Sequence, residues 1–152
     1  MAISRGSGTE IIRTAMFEAV TGSTTTHDLI IGEQHHIYTV LSVIVKCAGL
    51  ASSSDYIEIL LLGYDSFGGT SAQPIILVKE FIVENKTFVW NDKFSFNGCE
   101  PTNFTGPLST VAEQNLIADQ AESGTPQKLR FYTQGGSSSY DLTVTFIDQN
   151  NS

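Results

Sequence analysis

This sequence predicts an all-β chain: an antiparallel β-sandwich of jelly-roll-like kind, with one long insertion carrying a short helix. Three observations carry that expectation. Roughly seven or eight short segments rich in β-branched and aromatic residues recur every ~8–12 residues. Clusters of Gly, Ser, Asn, Asp and Pro separate them, as turns require. No strand–helix–strand alternation and no internal repeat interrupts the pattern. At 152 residues with 41% apolar composition, the chain can bury one core. We read residues 1–9 as a polar N-terminal arm and 10–152 as a single domain, within which 97–128 is the insertion.

Residues 10–20 (EIIRTAMFEAV) fit two periods. Ile12, Met16 and Val20 recur at helical spacing, while Ile11, Ala15, Phe17 and Ala19 fit a strand face; the neighbouring strands favour the latter. GSTTTHD (22–28) breaks the chain, and a short strand follows at Leu29–Ile31, closed by Gly32. Residues 36–47 (HIYTVLSVIVKC) are apolar on both faces, so this strand is expected at the centre of a sheet or against another subunit. After the loop 48–55 comes the strand 56–64, then the turn-rich stretch 65–74, then the strand 75–83. Glu84-Asn85-Lys86 is a tight turn into 87–96, where Phe88, Trp90, Phe94 and Phe96 share one face and Asn91-Asp92 marks a bulge or kink. Residues 97–107 are irregular, and 109–122 read as a short helix capped by Ser109, with Val111, Ala112, Asn115 and Leu116 on one face. Strands return at 129–134 and 140–148, joined by a hairpin-like Gly-Gly-Ser-Ser-Ser turn.

Composition excludes several roles. A net charge of −8 and the lack of any basic cluster argue against gripping a nucleic-acid backbone. No apolar run approaches the ~20 residues a spanning helix needs, and the N-terminus lacks the apolar core of a signal peptide, so synthesis in the cytosol without export is expected. On that basis the glycosylation-type triplets at Asn85 and Asn103 read as chance. Only 16% of residues are charged, below the ~25% usual for soluble domains. Much of the surface must then be Ser, Thr, Asn, Gln and Gly, or lie against partners.

No catalytic, cofactor or metal site emerges. His35 and His36 are adjacent on a strand and point to opposite faces, so with His27 they make a poor metal set. Asp65, Asn91 and Asp92 lack a calcium-loop pattern. Cys47 and Cys99 lack metal-ligand spacing; Cys47 reads as a small buried hydrophobe and Cys99 lies in a turn-rich loop. There is no G-x-S-x-G elbow, and GYDSFGG lacks the Gly-Lys-Ser/Thr ending of a phosphate loop. Tyr56, Tyr64, Phe67, Trp90, Phe104, Tyr132 and Tyr140 are candidate sugar-stacking aromatics, against core or subunit packing as the plainer role.

HHIYTVLSVIVKCAG, YIEILLLGYDSFGG and IILVKEFIVENKTFVWNDKFSFNG, closed by KLRFYTQGGSSSYDLTVTFID, resemble the strand pattern of small β-sandwich virion structural proteins of tailed bacteriophages. The resemblance covers residues 28–98 and 128–148; the 97–128 insertion departs from it. It implies a non-enzymatic capsid decoration (cement) protein located on the virion. Its partners would be further copies of itself, as a homotrimer, and the major capsid or tail proteins, with no nucleic acid, membrane or cofactor. The alternatives are a tail-associated module or a receptor- or glycan-binding one. Expected docking residues are Ile3, Arg5 and Thr9 on the arm and Phe104, Leu108 and Leu116 on the insertion.

Overall fold

The computed structural model describes residues 9–21, 27–33, 35–65, 72–99, 126–134 and 137–150. These form nine strands: β1 (Glu10–Thr21), β2 (His27–Ile31), β3 (His36–Gly49), β4 (Tyr56–Asp65), β5 (Ala72–Phe81), β6 (Thr87–Trp90), β7 (Phe94–Asn97), β8 (Lys128–Thr133) and β9 (Ser139–Asn150). All pairings are antiparallel. One sheet, sheet A, runs β1-β9-β3-β6 with β7 also on β3; the other, sheet B, runs β2-β8-β4-β5. β6 and β7 are one strand interrupted at Asn91–Lys93, as the Asn91-Asp92 kink predicted.

The core lies between the two sheets. Sheet A contributes Tyr38, Val40, Val43, Val45, Leu142, Val144 and Phe146, and sheet B contributes Leu29, Ile57, Ile59, Leu129 and Phe131, all in one buried cluster. The ring of Phe131 on β8 meets that of Tyr140 on β9 edge-to-face at 5.7 Å, which joins the layers directly. β9 alternates strictly, with Tyr140, Leu142, Val144, Phe146 and Asp148 buried and the intervening residues half-buried. Phe88, Trp90, Phe94 and Phe96 all pack on this core, as their shared face predicted. Trp90–Phe94 and Phe94–Phe96 form a ring ladder at 5.3 and 5.9 Å.

Two expectations need correction. β8 and β9 belong to different sheets, so the Gly-Gly-Ser-Ser-Ser connection crosses between layers instead of closing a hairpin. Glu84–Lys86 is the tight turn expected, with the Lys86 N–H donated to Val83 O at 3.1 Å, and Asn85 takes a left-handed φ of 62° there as the chain passes from sheet B to sheet A. Tyr140, a candidate sugar platform, is fully buried. The helix expected at 109–122 lies outside the described residues, and all described secondary structure is β.

The insertion leaves and returns through a tight backbone junction. Cys99 bridges Pro126, Gln127 donates its N–H to the Gly98 carbonyl at 2.9 Å, and Gly32 donates its own to Gln127 O at 2.8 Å. A side chain on Gly32 would run into the Gly98 carbonyl oxygen, and one on Gly98 into that of Glu33. Gly63 sits at φ 82° with Pro126 O 2.8 Å from where a Cβ would stand. Only glycine fits such close approach.

Candidate interaction surfaces

The outer face of sheet A is assembled by strand register. Residues opposite one another across antiparallel strands share a face. One row therefore runs Ile12–Ile147–Thr39–Ser95 across β1, β9, β3 and β7. A second runs Thr14–Thr145–Ser42, and a third Met16–Thr143–Ile44–Val89 on β1, β9, β3 and β6. None of these eleven residues is charged. Ile12, Met16 and Val89 are 69%, 61% and 53% exposed. Thr14 and Thr145 hydroxyls are 3.3 Å apart, and those of Thr39 and Ser95 2.8 Å. These hydroxyls satisfy one another along the surface, which leaves a neutral face between the flanking Glu10 and the Lys46–Asp141 pair on a chain of net charge −8. The expectation that residues 36–47 need cover on both sides has this basis: β3 is central, with sheet B on one side and this face on the other.

β1 is an edge of sheet A, and its one strand partner among the described residues is β9. The Asn150 N–H is donated to Thr9 O at 3.4 Å, one step beyond the Glu10–Gln149 pair. Hydrogen-bonded and non-hydrogen-bonded pairs alternate along such a ladder. Residues 11, 13, 15 and 17 therefore bond to β9, while the N–H and C=O groups of Glu10, Ile12, Thr14 and Met16 point away from it. The Thr14–Thr145 hydroxyl contact agrees, since side chains lie closest at non-hydrogen-bonded pairs. The register shift between Phe17 and Val20, with Ala19 at φ 53°, ends this regular stretch.

The outer face of sheet B differs. Tyr56, Phe81 and Tyr132 cluster there, with Tyr56–Phe81 at 5.8 Å and Tyr56–Tyr132 at 6.3 Å. Lys79 Nζ stands 3.9 Å above the Tyr56 ring and 3.2 Å from Glu58 Oε1, and that hydrogen bond raises its pKa. Asp28 accepts from Arg130 Nε at 2.6 Å, with Lys128 Nζ 3.6 Å away. This face is held by ion pairs, unlike its counterpart.

At the β2–β3 end of sheet A, Asp148 accepts from His36 Nδ1 at 2.6 Å and from Arg13 Nε at 2.9 Å. His36 Nε2 lies 3.7 Å from Glu33, and the Glu33 N–H is donated to the Tyr38 hydroxyl at 3.1 Å. Burial, offset in part by that bond, pushes the Tyr38 phenol up from its usual pKa. The cluster joins β1, β3 and β9 but holds no nucleophile. No group of three or more His, Cys, Asp or Glu residues among the described ones could hold a metal ion. His35, at φ 64°, points Nδ1 to a buried position with no partner in the described structure. Cys47 and Cys99 are free thiols, both pushed up in pKa by burial.

Of the expected docking residues, Thr9 is exposed at the start of β1, on the opposite side of the strand from the neutral rows. Ile3, Arg5, Phe104, Leu108 and Leu116 lie outside the described residues. The neutral face itself escaped sequence reading, because it is made by register between strands far apart in the chain. The exposed Ile12 and Met16 in an otherwise amphipathic strand were its one local signal.

No family model and no curated protein sequence matches this chain. Among solved structures it is similar to a chain of the Bacillus endospore appendages, described as a family of disulfide-linked pili. The identity is 9% over 100% of this chain and 97% of that one, with a TM-score of 0.46. It is also similar to a chain of infectious bursal disease virus, Gx strain, at 9% identity over 95% of this chain and 34% of that one, TM-score 0.48. For the VP2 subviral particle of the same virus the figures are 11%, 95%, 38% and 0.37. The chain spans about a third of the length of those viral chains. Likenesses at these scores assign no function.

Proposed function

We propose that this chain is a non-enzymatic structural subunit of a larger protein particle. The observation that carries the reading is the neutral outer face of sheet A, where exposed Ile12, Met16 and Val89 share rows with self-satisfied threonines. Charge desolvation is the main obstacle to burying a surface, and the three rows carry no charge, the nearest on that side of the sheet being Glu10 beyond one end and Lys46 with Asp141 beyond the other. From strand spacings its three rows cover roughly 300 Å², well short of the ~800 Å² per partner of a stable pair. Such a face suits a subunit held by several contacts at once, as in a shell or lattice, where weak contacts multiply. The path of the chain, which changes layer at every connection between described strands except β4–β5 and β6–β7, supports a jelly-roll reading.

The particle we favour is a tailed-phage virion, with the chain as a capsid decoration protein, assembled as a homotrimer and bound to neighbouring capsid subunits. Ile3, Arg5 and Thr9, with Phe104, Leu108 and Leu116, are the proposed additional contacts; a tail location is the alternative. The test is binding of purified protein to particles that lack it, read as co-sedimentation and as a raised disruption temperature. Absence of binding, together with an Ile12→Asp/Met16→Asp variant that behaves as wild type, defeats the proposal.

A second reading, a glycan-binding module, is favoured by the Tyr56–Phe81–Tyr132 cluster on sheet B. Trp90 does not support it, since its ring packs on the core. Titration across a broad glycan panel with wild type and Phe81→Ala decides that reading; silence across the panel removes it.

A further inference from the structure

We infer that two copies of this chain join edge to edge through β1, in an antiparallel pairing centred on Thr14 that fuses their A sheets into one. The inference rests on the reading of the chain as an assembly subunit and names how copies meet.

The four sheet edges are not equivalent. β2 is five residues long with a register shift, which leaves little to pair with. β5 carries Pro74, two register shifts and the charges of Lys79 and Glu80. The β6/β7 edge is interrupted at Asn91–Lys93, where Asp92 and Lys93 are exposed. These are the devices that block strand addition. β1 is twelve residues long, contains no proline and is regular from Glu10 to Phe17. It presents the outward backbone groups of Ile12, Thr14 and Met16 in an uncharged stretch of its outer face.

Backbone geometry and charge select the register. A two-fold antiparallel pair that keeps both sheets facing the same way must hydrogen-bond even-numbered residues to even-numbered residues. Centred on Arg13, it would set Arg13 against the partner's Arg13. Centred on Ala15, it would set Ile12 against the partner's Glu18. Centred on Thr14, it sets exposed Ile12 against the partner's exposed Met16, Thr14 against the partner's Thr14 and Arg13 against the partner's Ala15, while the like-charged Glu10 and Glu18 oppose each other only at its two ends, where Glu18 lies past the regular stretch that stops at Phe17. On the inner side Ile11, exposed in the single chain, meets the partner's Phe17. The three outward pairs supply about six backbone hydrogen bonds, and the neutral faces of both copies become one continuous surface of twice the area. This contact is pairwise, so a trimer would have to close through other surfaces.

Sedimentation of the full-length chain over the micromolar range tests this, with Thr14→Pro as the edge variant. Residue 14 directs its N–H away from β9, so proline there removes an outward donor and no β1–β9 bond. Expected are a wild-type dimer and, for Thr14→Pro with an unchanged far-ultraviolet spectrum, dimerisation weakened ~10-fold or more. A wild type that stays monomeric to about 100 μM, or a folded Thr14→Pro that dimerises as wild type does, overturns the inference. Should Thr14→Pro fail to fold, cysteine trapping with oxidised glutathione decides. Thr14→Cys should cross-link to the partner's Cys at that position, because Cα atoms of a hydrogen-bonded pair stand about 5.5 Å apart, within disulfide reach. Ile12→Cys, whose counterpart lies four residues out of register, should not; equal cross-linking at 12 and 14 refutes the register. Dimers that fail to bind particles would remove the assembly reading and leave the strand contact, whereas particle binding by a strictly monomeric chain would do the reverse.

Discussion

His36 and Arg13, from strands that do not touch each other, converge on one carboxylate: Asp148 accepts from His36 Nδ1 at 2.6 Å and from Arg13 Nε at 2.9 Å. Asp148 is buried at the end of β9, the strand between β1 and β3, so a single side chain ties three strands together. Arg13 is more than half exposed and contributes little through charge alone. The half-buried His36 bond dominates. Asp148→Ala should therefore destabilise the fold by about 2 kcal/mol, and Asp148→Asn, which keeps one acceptor oxygen, by less. Urea denaturation midpoints measure both; equal midpoints for wild type and Asp148→Ala would refute the account.

Gly98→Ala and Gly49→Ala form a matched pair. A Cβ at Gly98 meets the Glu33 backbone, which cannot swing aside, whereas one at Gly49 meets nothing within 4 Å. Gly98→Ala is expected to cost about 3 kcal/mol or more, and Gly49→Ala to stay within ~0.5 kcal/mol of wild type. Thermal melting of the two variants side by side gives the comparison.

At the opposite end of the sandwich, Ser138 donates its hydroxyl to the buried carboxylate of Asp55 and accepts the Ala51 N–H at 2.9 Å. Ser138→Ala strands both partners and should cost about 2 kcal/mol. Because the pair acts as a unit, adding Asp55→Ala should cost less than the two single losses combined. A double-mutant cycle in guanidinium reads that coupling.

Alkaline pH should weaken the fold through Tyr38. Its folded pKa is raised, chiefly by burial, so its contribution is complete below the ordinary tyrosine value and is lost as pH climbs through the folded one. Lys79, raised by its bond to Glu58, acts in the same direction and window. The melting temperature should begin to fall above about pH 8.5, where the thiols of Cys47 and Cys99, also raised by burial, enter their window, and fall faster above about pH 10, more shallowly there in Tyr38→Phe. A fall of equal slope in that variant would assign the effect elsewhere.

Strand existence was legible in the sequence because burial writes a period of two into each segment. Phe88, Trp90, Phe94 and Phe96 share the core face, and Leu142, Val144 and Phe146 alternate in β9, as their spacing required. Layer assignment was not legible. Glu84–Lys86 and the Gly-Gly-Ser-Ser-Ser stretch have hairpin composition, yet each carries the chain to the other sheet, because short polar turns serve either path and only the global packing chooses. The neutral face was invisible for a related reason. Ile12, Ile147 and Thr39 look unremarkable within their own segments and become a surface only when register aligns them. Single aromatics misled likewise: Tyr140 and Trp90 face inward, while Tyr56 and Phe81 face outward, and composition does not tell the two apart.

The position of β9 also governs when this protein can fold. It is translated after all the other described strands, yet it lies between β1 and β3 and completes sheet A. Until it clears the ribosome, β1 has no described neighbour to lie against and β3 lacks the strand beside it, so folding dominated by such distant pairings must wait for β9 and then proceed slowly. A nascent chain still lacking β9 would consequently offer no finished β1 edge to its neighbours on the same messenger, and copies could meet through β1 only after that strand is in place.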